Sequence, residues 1–295
     1  QVLAARAFPV PPSEEQRRIV AKLDALDASA KRARADLDRI PTLVARAKQA
    51  ILAREFDRIV EGCDLVSFGD MLEHLTSGSR DWSSYYDRGS CVFVLAGNIR
   101  PLYFDPEPKK MIDPPLDSRD AQRSRIQKND LLLTIVGAGT GDICVFSGDY
   151  ENYYVCQSVA LIRLKDPRLA LFFSYWFNGE KHGQGDFTRA MYGAARPHLS
   201  FDQIREFPVP LISWPQAAAC VGRIEAAFAK IDRIAAEAAS ARALLDRLDQ
   251  AILAKAFRGD LVPQDPSDEP AEKLLEKIKA ARAAPPARKA RKKQS

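Results

Sequence analysis

Two heptad ladders, matched in phase and 201 positions apart, constrain this chain more than any other feature. One passes through Ile19, Leu23, Leu26, Ala30, Ala33, Leu37, Ile40, Val44, Ala47 and Ile51. The other passes through Cys220, Ile224, Ala227, Ile231, Ile234, Ala238, Ala241, Leu245, Leu248 and Ile252. Steps alternating between four and three residues keep one apolar seam on one face of a helix, the a/d pattern of a coiled coil. Two such seams bracketing an unrelated segment predict two long helices built to pair, with a separate domain carried between them in sequence. Alanines at the middle of each seam let the helices approach closely. Periodicity alone is also compatible with an ordinary helical hairpin.

The flanks repeat as well. FPVP at 8–11 recurs at 207–210, and QAILAREF at 49–56 recurs as QAILAKAF at 250–257. FPVPP at 8–12 cannot start a helix, so the first one begins past Pro12, with Ser13 as cap and Glu14 and Glu15 in the first turn. Its pattern runs to about 58, and Pro41 predicts a kink or short break near 38–41. Between 63 and 206 the heptad disappears. CVFVLAG (91–97), DLLLTIV (130–136), ICVF (143–146) and YYVCQSVALIRL (153–164) read as strands separated by turn clusters. Short helices are expected near 166–180, with Asp166 as cap, and from Ser200 to Glu206. The second long helix spans about 214–258 and stops at Gly259. A linker, VPQDPSDEP, leads to the amphipathic stretch AEKLLEKIKAAR and a Pro/Ala/basic tail.

The chain has 295 residues and a formal net charge of +5, with a mean hydropathy of −0.26. Residues 276–295 carry eight lysines and arginines against Glu276 alone, so the remainder is slightly acidic and the charge marks a tail, not a basic surface. No apolar run approaches the ~18 residues of a membrane span. The five cysteines form no C-x-x-C pair and read as buried free thiols in a reducing, cytoplasmic compartment. Three scattered histidines, none at ligand spacing from a cysteine, argue against a metal site.

Catalytic patterns are weak. GAGTGD (137–142) follows a strand, but its glycines miss the G-x-G-x-x-G spacing and strand-like ICVF follows where phosphate binding needs a helix. A glycine hairpin fits better. Glu107-Pro108-Lys109 looks like half of a nuclease pair, but Pro108 suits a central strand poorly. An N-P-P-[YF] methyltransferase loop is absent, and no cofactor is expected.

PPSEEQRRIVAKLDAL at 11–26 and LDQAILAKAFRGDLVPQDPSDEPAEKLLEKI at 248–278, with KNDLLLTIVGAGTGDICVF, YVCQSVALIRL and HLSFDQIREFPVP between them, resemble the specificity subunits of type I restriction-modification systems. The resemblance covers nearly the whole chain. It implies an α+β protein: one mixed α/β target recognition domain flanked by two long helices that pair as an antiparallel coiled coil. The expected division is 1–12, the end of a preceding recognition domain or linker; 13–60, the first long helix; 61–210, the recognition domain; 211–260, the second long helix; and 261–295, linker, short helix and basic tail. A typical member carries two recognition domains, whereas one is legible here, so the chain looks like a C-terminal half or a half-length form that would pair with another copy.

The resemblance further implies a recognition subunit without catalysis of its own. It would bind double-stranded DNA and read one half of a split target. Its helices would dock the methylation subunits, and the restriction subunit would join through that complex. A seam of about 50 Å (~1.5 Å per residue) would set the reader's position along ~15 base pairs. Candidate DNA contacts are Ser79, Arg80 and Tyr85 in SGSRDW and the residues after it, Asn98 and Arg100 in GNIRP, Gly139 and Thr140 in the glycine hairpin, and Arg189, Tyr192, Arg196 and His198 before the domain exit. Arginine can bond guanine O6 and N7, and asparagine can pair with adenine. The seam is carried by Ile19, Leu23, Leu26, Leu37, Ile224, Ile231, Leu245 and Ile252. The rival reading is a coiled-coil protein-interaction scaffold without DNA specificity.

Overall fold

The computed structural model describes residues 10–79, 81–148, 151–191 and 198–283. It divides into two compact units, Val44–Asp232, and Gln1–Leu43 with Arg233–Ser295. Helix α1 (Ser13–Val60) runs unbroken through Pro41. One missing N–H costs one backbone bond, while Ile40 and Val44 on either side keep their half-buried seam positions. Helix α6 (Trp214–Arg258) is equally continuous. Gly259 follows with φ +81°, the left-handed conformation that suits a glycine stop.

Along α1 the exposure pattern follows the ladder, and Ile19, Leu23, Leu26 and Leu37 are half-buried. Along α6 it follows eight of the ten positions. Ile224 is buried, and Ile231, Leu245 and Ile252 are half-buried, but Ile234 and Leu248 stand 54% and 49% exposed. Ala235, Arg242 and Asp249 are shielded in their place. A helix of 3.6 residues per turn drifts from a 3.5-residue repeat, so a stripe that starts as a/d moves onto the next position. Within each unit ion pairs join the two helices. Arg34 meets Asp246 at 3.2 Å and Asp249 at 2.5 Å, Arg242 meets Asp38 at 3.3 Å, and Lys48 meets Asp232 at 2.6 Å. The segment after α6 is anchored rather than a free linker: Arg18 donates twice to Asp268, at 3.1 and 2.6 Å. Helix α7 (Ala271–Ala283) follows it.

The mixed domain lies in Val44–Asp232. Its strands are β1 (Leu65–Ser67), β2 (Leu72–Ser77), β3 (Tyr86–Val94), β4 (Ile99–Arg100), β5 (Tyr103–Phe104), β6 (Lys110–Ile112), β7 (Leu131–Thr134), β8 (Ile143–Val145), β9 (Tyr153–Val155), β10 (Val159–Leu164) and β11 (Pro208–Pro210). Its short helices are α2 (Arg119–Ser124), α3 (Ala170–Asn178), α4 (Gly183–Met191) and α5 (Phe201–Glu206). An antiparallel sheet of order β2-β10-β7-β8 packs beside a sheet of order β6-β3-β9, in which β3 and β9 run parallel. The apolar run YYVCQSVALIRL is two strands in two sheets, broken at Cys156–Ser158. Strands β1 and β11 pair across the domain's entrance and exit, with Val66 opposite Val209.

Two cores result. One, between the two sheets, gathers Trp82, Phe93, Phe146 and Tyr154. The other lies between the four-stranded sheet, α3 and the adjoining parts of α1 and α6. There Phe56 is fully buried and meets Phe172 and Trp176 edge-on, with ring centroids 5.7 and 5.2 Å apart. Beside them Glu55 is 1% exposed. Burial pushes its carboxyl up, but hydrogen bonds from Arg223 at 2.7 Å and Arg54 at 3.1 Å outweigh this and hold it below its ordinary 4.5. All five cysteines are free, and burial pushes the Cys144 thiol up to about 12, leaving it protonated and unreactive.

Candidate nucleic-acid interface

The strand registers bring several loops to one end of the four-stranded sheet. Ser77 lies opposite Ala160, Thr134 opposite Val159, and Leu133 opposite Ile143. So the exit of β2, the β7–β8 hairpin and the entrance to β10 share that end. Strand β3 ends there too, because Val94 pairs with Val155 and its carbonyl accepts from Cys156 N–H at 2.9 Å. Segment 156–158 is the hub. Gly78 N–H donates to Cys156 O at 3.1 Å, and Ile135 N–H to Ser158 O at 2.9 Å. A Cβ at Gly78 would stand 1.8 Å from Val155 O, so only glycine allows the two backbones to meet.

GAGTGD is the turn of the β7–β8 hairpin and no phosphate loop. Gly141 has φ +100°, and its carbonyl accepts from Gln184 Nε2 of α4 at 2.8 Å. Thr140, a candidate contact, donates its hydroxyl to Gly137 O at 2.7 Å. A Cβ at Gly139 would stand 2.7 Å from Asp142 Oδ2, so that glycine makes room for the aspartate. Arg100, at the β4–β5 turn, is exposed, and its charge acts on Asp142. His198 is exposed and bridges to Val136 at the base of the hairpin. Arg189, on α4, is exposed and bonded to Asp186. The fold therefore gathers Arg100, Gly139, Thr140 and His198, far apart in sequence, with α4 alongside.

Other expected contacts are spent within the fold or lie at the opposite end. Asn98 is 5% exposed, and its amide is spent on its own loop. Its Oδ1 accepts from Leu95 N–H at 2.9 Å, and its Nδ2 donates to Asp105 O and Pro108 O at 3.0 and 3.3 Å. This leaves no donor for an adenine edge, so Asn98 is a loop-fixing residue. Ser79 is buried and hydrogen-bonds Asp120. Tyr85 lies at the start of β3, the opposite end from Val94, half-buried with the Arg88 guanidinium 6.0 Å from its ring. Arg80, Tyr192 and Arg196 lie outside the described residues. The residue that sequence reading missed is Asp142, whose only signal was its place after the glycine turn. Glu107 and Lys109 form an exposed ion pair at 3.8 Å. Among the described residues no group of histidine, cysteine, aspartate and glutamate is placed to hold a metal, and no helix is long and apolar enough to cross a membrane.

Fold and site together define a class: an α+β chain in which two long pairing helices flank one mixed domain, with an arginine-bearing loop cluster at a sheet end. Known proteins of that kind are type I restriction specificity subunits. The EcoBI specificity subunit of Escherichia coli is 30% identical over 97% of this chain and 66% of its own length. The EcoKI specificity subunit of Escherichia coli (strain K12) is 26% identical over 98% and 66%. A solved chain from a type I R-M system, studied for its complex assembly and conformational transition, shares the fold with TM-score 0.62 at 22% identity, over 86% of this chain and 62% of its own. No family model matches. The chain is thus a relative of the type I specificity subunits and spans just under two thirds of the length of the two E. coli subunits.

Proposed function

We propose that this chain is the sequence-recognition subunit of a type I restriction-modification complex, working in the cytoplasm. Its domain at 61–210 reads one half of a split DNA target, and its paired helices dock methylation subunits. The observation that carries this reading is the 97% span of the likeness to a specificity subunit, which takes in both helices and the domain between them. Geometry supports it: Arg100, the glycine hairpin and His198 converge at one sheet end, where glycines bring backbone within reach of a duplex. The chain itself recognises and does not catalyse. Methylation subunits bring S-adenosylmethionine, and the restriction subunit joins through them.

The test is a gel shift at graded salt with the methylation subunits present. Sequence-specific, salt-sensitive binding is expected. Binding that stays non-specific with all subunits present would favour the scaffold reading. Alanine at Arg80, Arg100 and Arg196 together should weaken binding, and Leu23→Asp or Leu245→Asp should prevent assembly.

A further inference from the structure

Asp142 is out of keeping with the other shielded carboxylates of its unit. Its backbone N–H closes the turn onto Gly139 O at 2.8 Å. Its side chain is half-buried, yet no donor among the described residues reaches the carboxylate. Comparable acids are all bonded. Asp130 is held by Arg163 at 2.8 and 2.6 Å and by Gln127 N–H at 2.7 Å, Asp120 by Arg123 at 2.8 Å, and Asp57 by Lys181 at 2.7 Å. Desolvation raises the Asp142 pKa, and Arg100 is the one charge that opposes it. The half-shielded carboxylate has no donor among the described residues and is not sealed off from solvent, so its acceptor capacity is open to a ligand's donor.

The surroundings narrow the ligand. Asp142 sits with Arg100, Thr140 and His198 at the end of the sheet assigned above to DNA. Phosphates repel a carboxylate, so backbone contact gives it nothing. Base edges offer it a partner: in the major groove the exocyclic amino groups, cytosine N4 and adenine N6, are hydrogen-bond donors. Arg100 beside it screens the negative charge and carries the opposite hydrogen-bonding sense, suited to guanine O6 and N7. Gly139, by lacking a Cβ, leaves the carboxylate room beside the turn, since a Cβ there would stand 2.7 Å from Oδ2.

We propose that Asp142 is a specificity-determining residue that accepts a hydrogen bond from the amino group of one base in the recognised half-site, with Arg100 at its flank. The inference rests on the DNA-recognition reading. It assigns a base contact to the one shielded acid among the domain's described residues that the fold leaves unbonded.

The experiment uses the full chain assembled with its methylation subunits. The methylated motif of wild type is read by modified-base sequencing of a plasmid library carrying random target sites, and duplex binding is measured for every single-base change. With Asp142→Ala one position that demands cytosine or adenine should become permissive. Discrimination there should fall about 10- to 100-fold, while the other positions keep theirs. Which base is released tells N4 from N6. Asp142→Asn keeps the turn and side-chain shape but adds a donor, so it should alter preference at that same position. A uniform loss across all sequences with an unchanged motif would make Asp142 a turn residue and overturn the inference, as would both variants behaving as wild type. If wild type itself shows no motif, the recognition reading fails instead, and the two failures are told apart.

Discussion

The same apolar pattern is buried where α1 ends and α6 begins, and half-buried or exposed where α1 begins and α6 ends. At the first place Leu52 and Phe56 pack with Ala217, Cys220, Val221 and Ile224, all within the core that α3 covers. Their equivalents 201 positions away in the repeat are Leu253 and Phe257 with Gln16, Ile19, Val20 and Leu23. These line an open groove of about 730 Å3, where Leu253, Phe257 and Val20 are 51%, 68% and 55% exposed. Matched positions of the repeat, with Leu, Phe and Val kept at three of them, thus yield a core in one unit and a surface in the other. The difference is Phe172 and Trp176 of α3, which close over one end of the repeat and have no counterpart among the described residues at the other.

The largest test of that contrast is a matched pair of truncations. Phe56→Ala should cost about 3–5 kcal/mol in urea unfolding, since it opens a cavity under α3. Phe257→Ala should change stability by less than about 0.5 kcal/mol. Equal losses would show the groove to be covered in solution. A smaller effect separates the two places by acid. The Glu55 carboxyl is held below its ordinary 4.5, so its contribution is complete above that value and fades as pH falls through and beneath it. Its repeat equivalent, Ala256, has nothing to titrate. Melting temperature followed from pH 6 to pH 3 should therefore drop less steeply in Glu55→Gln than in wild type, and parallel curves would remove Glu55 from the account. Smaller again is the Arg34–Asp249 pair at 2.5 Å, partly exposed on both sides. A double-mutant cycle should give a coupling of about 0.5–1 kcal/mol, and its absence would leave the helix pairing to apolar contacts alone. Smallest is Arg18→Ala. Losing the Asp268 contact should shift melting by only tenths of a kcal/mol, but should speed protease cleavage within 260–270.

Both helices were legible from periodicity to within two residues at each end, because long amphipathic patterns repeat a local signal many times. The α6 seam was legible at eight of its ten positions. Which of two adjacent stripes turns inward depends on helix drift, and Ile234 and Leu248 fell on the wrong side. Capping signals located α3 and α5: Asp166 accepts from Arg168 N–H at 3.0 Å, and Ser200 from Gln203 N–H at 3.2 Å. Helices α2 and α4 are as long as α5 and α3 but more polar, and were not read, although Ser118 caps α2 by accepting from Ala121 N–H at 3.1 Å. At the candidate interface, sequence supplied residue types and the structure supplied company. Arg100, Thr140 and His198 meet through the β7–β8 hairpin, the Leu102 N–H to Ile143 O bond after β4 and the Val136–His198 bridge, which no local pattern encodes. Asn98 reads as a donor in GNIRP, but the Leu95–Pro108 loop closes around it.

By itself the sequence determined that two long helices exist, where each stops, and that a strand-rich domain interrupts them. These follow from spacing and caps, which act within a few residues. The tertiary structure decided which apolar stripe is core and which is groove, which polar residues are spent inside loops, and which are left facing out from one sheet end. Those outcomes depend on segments such as α3 packing against helices more than a hundred residues away in sequence, and burial is a property of the neighbour as much as of the residue itself.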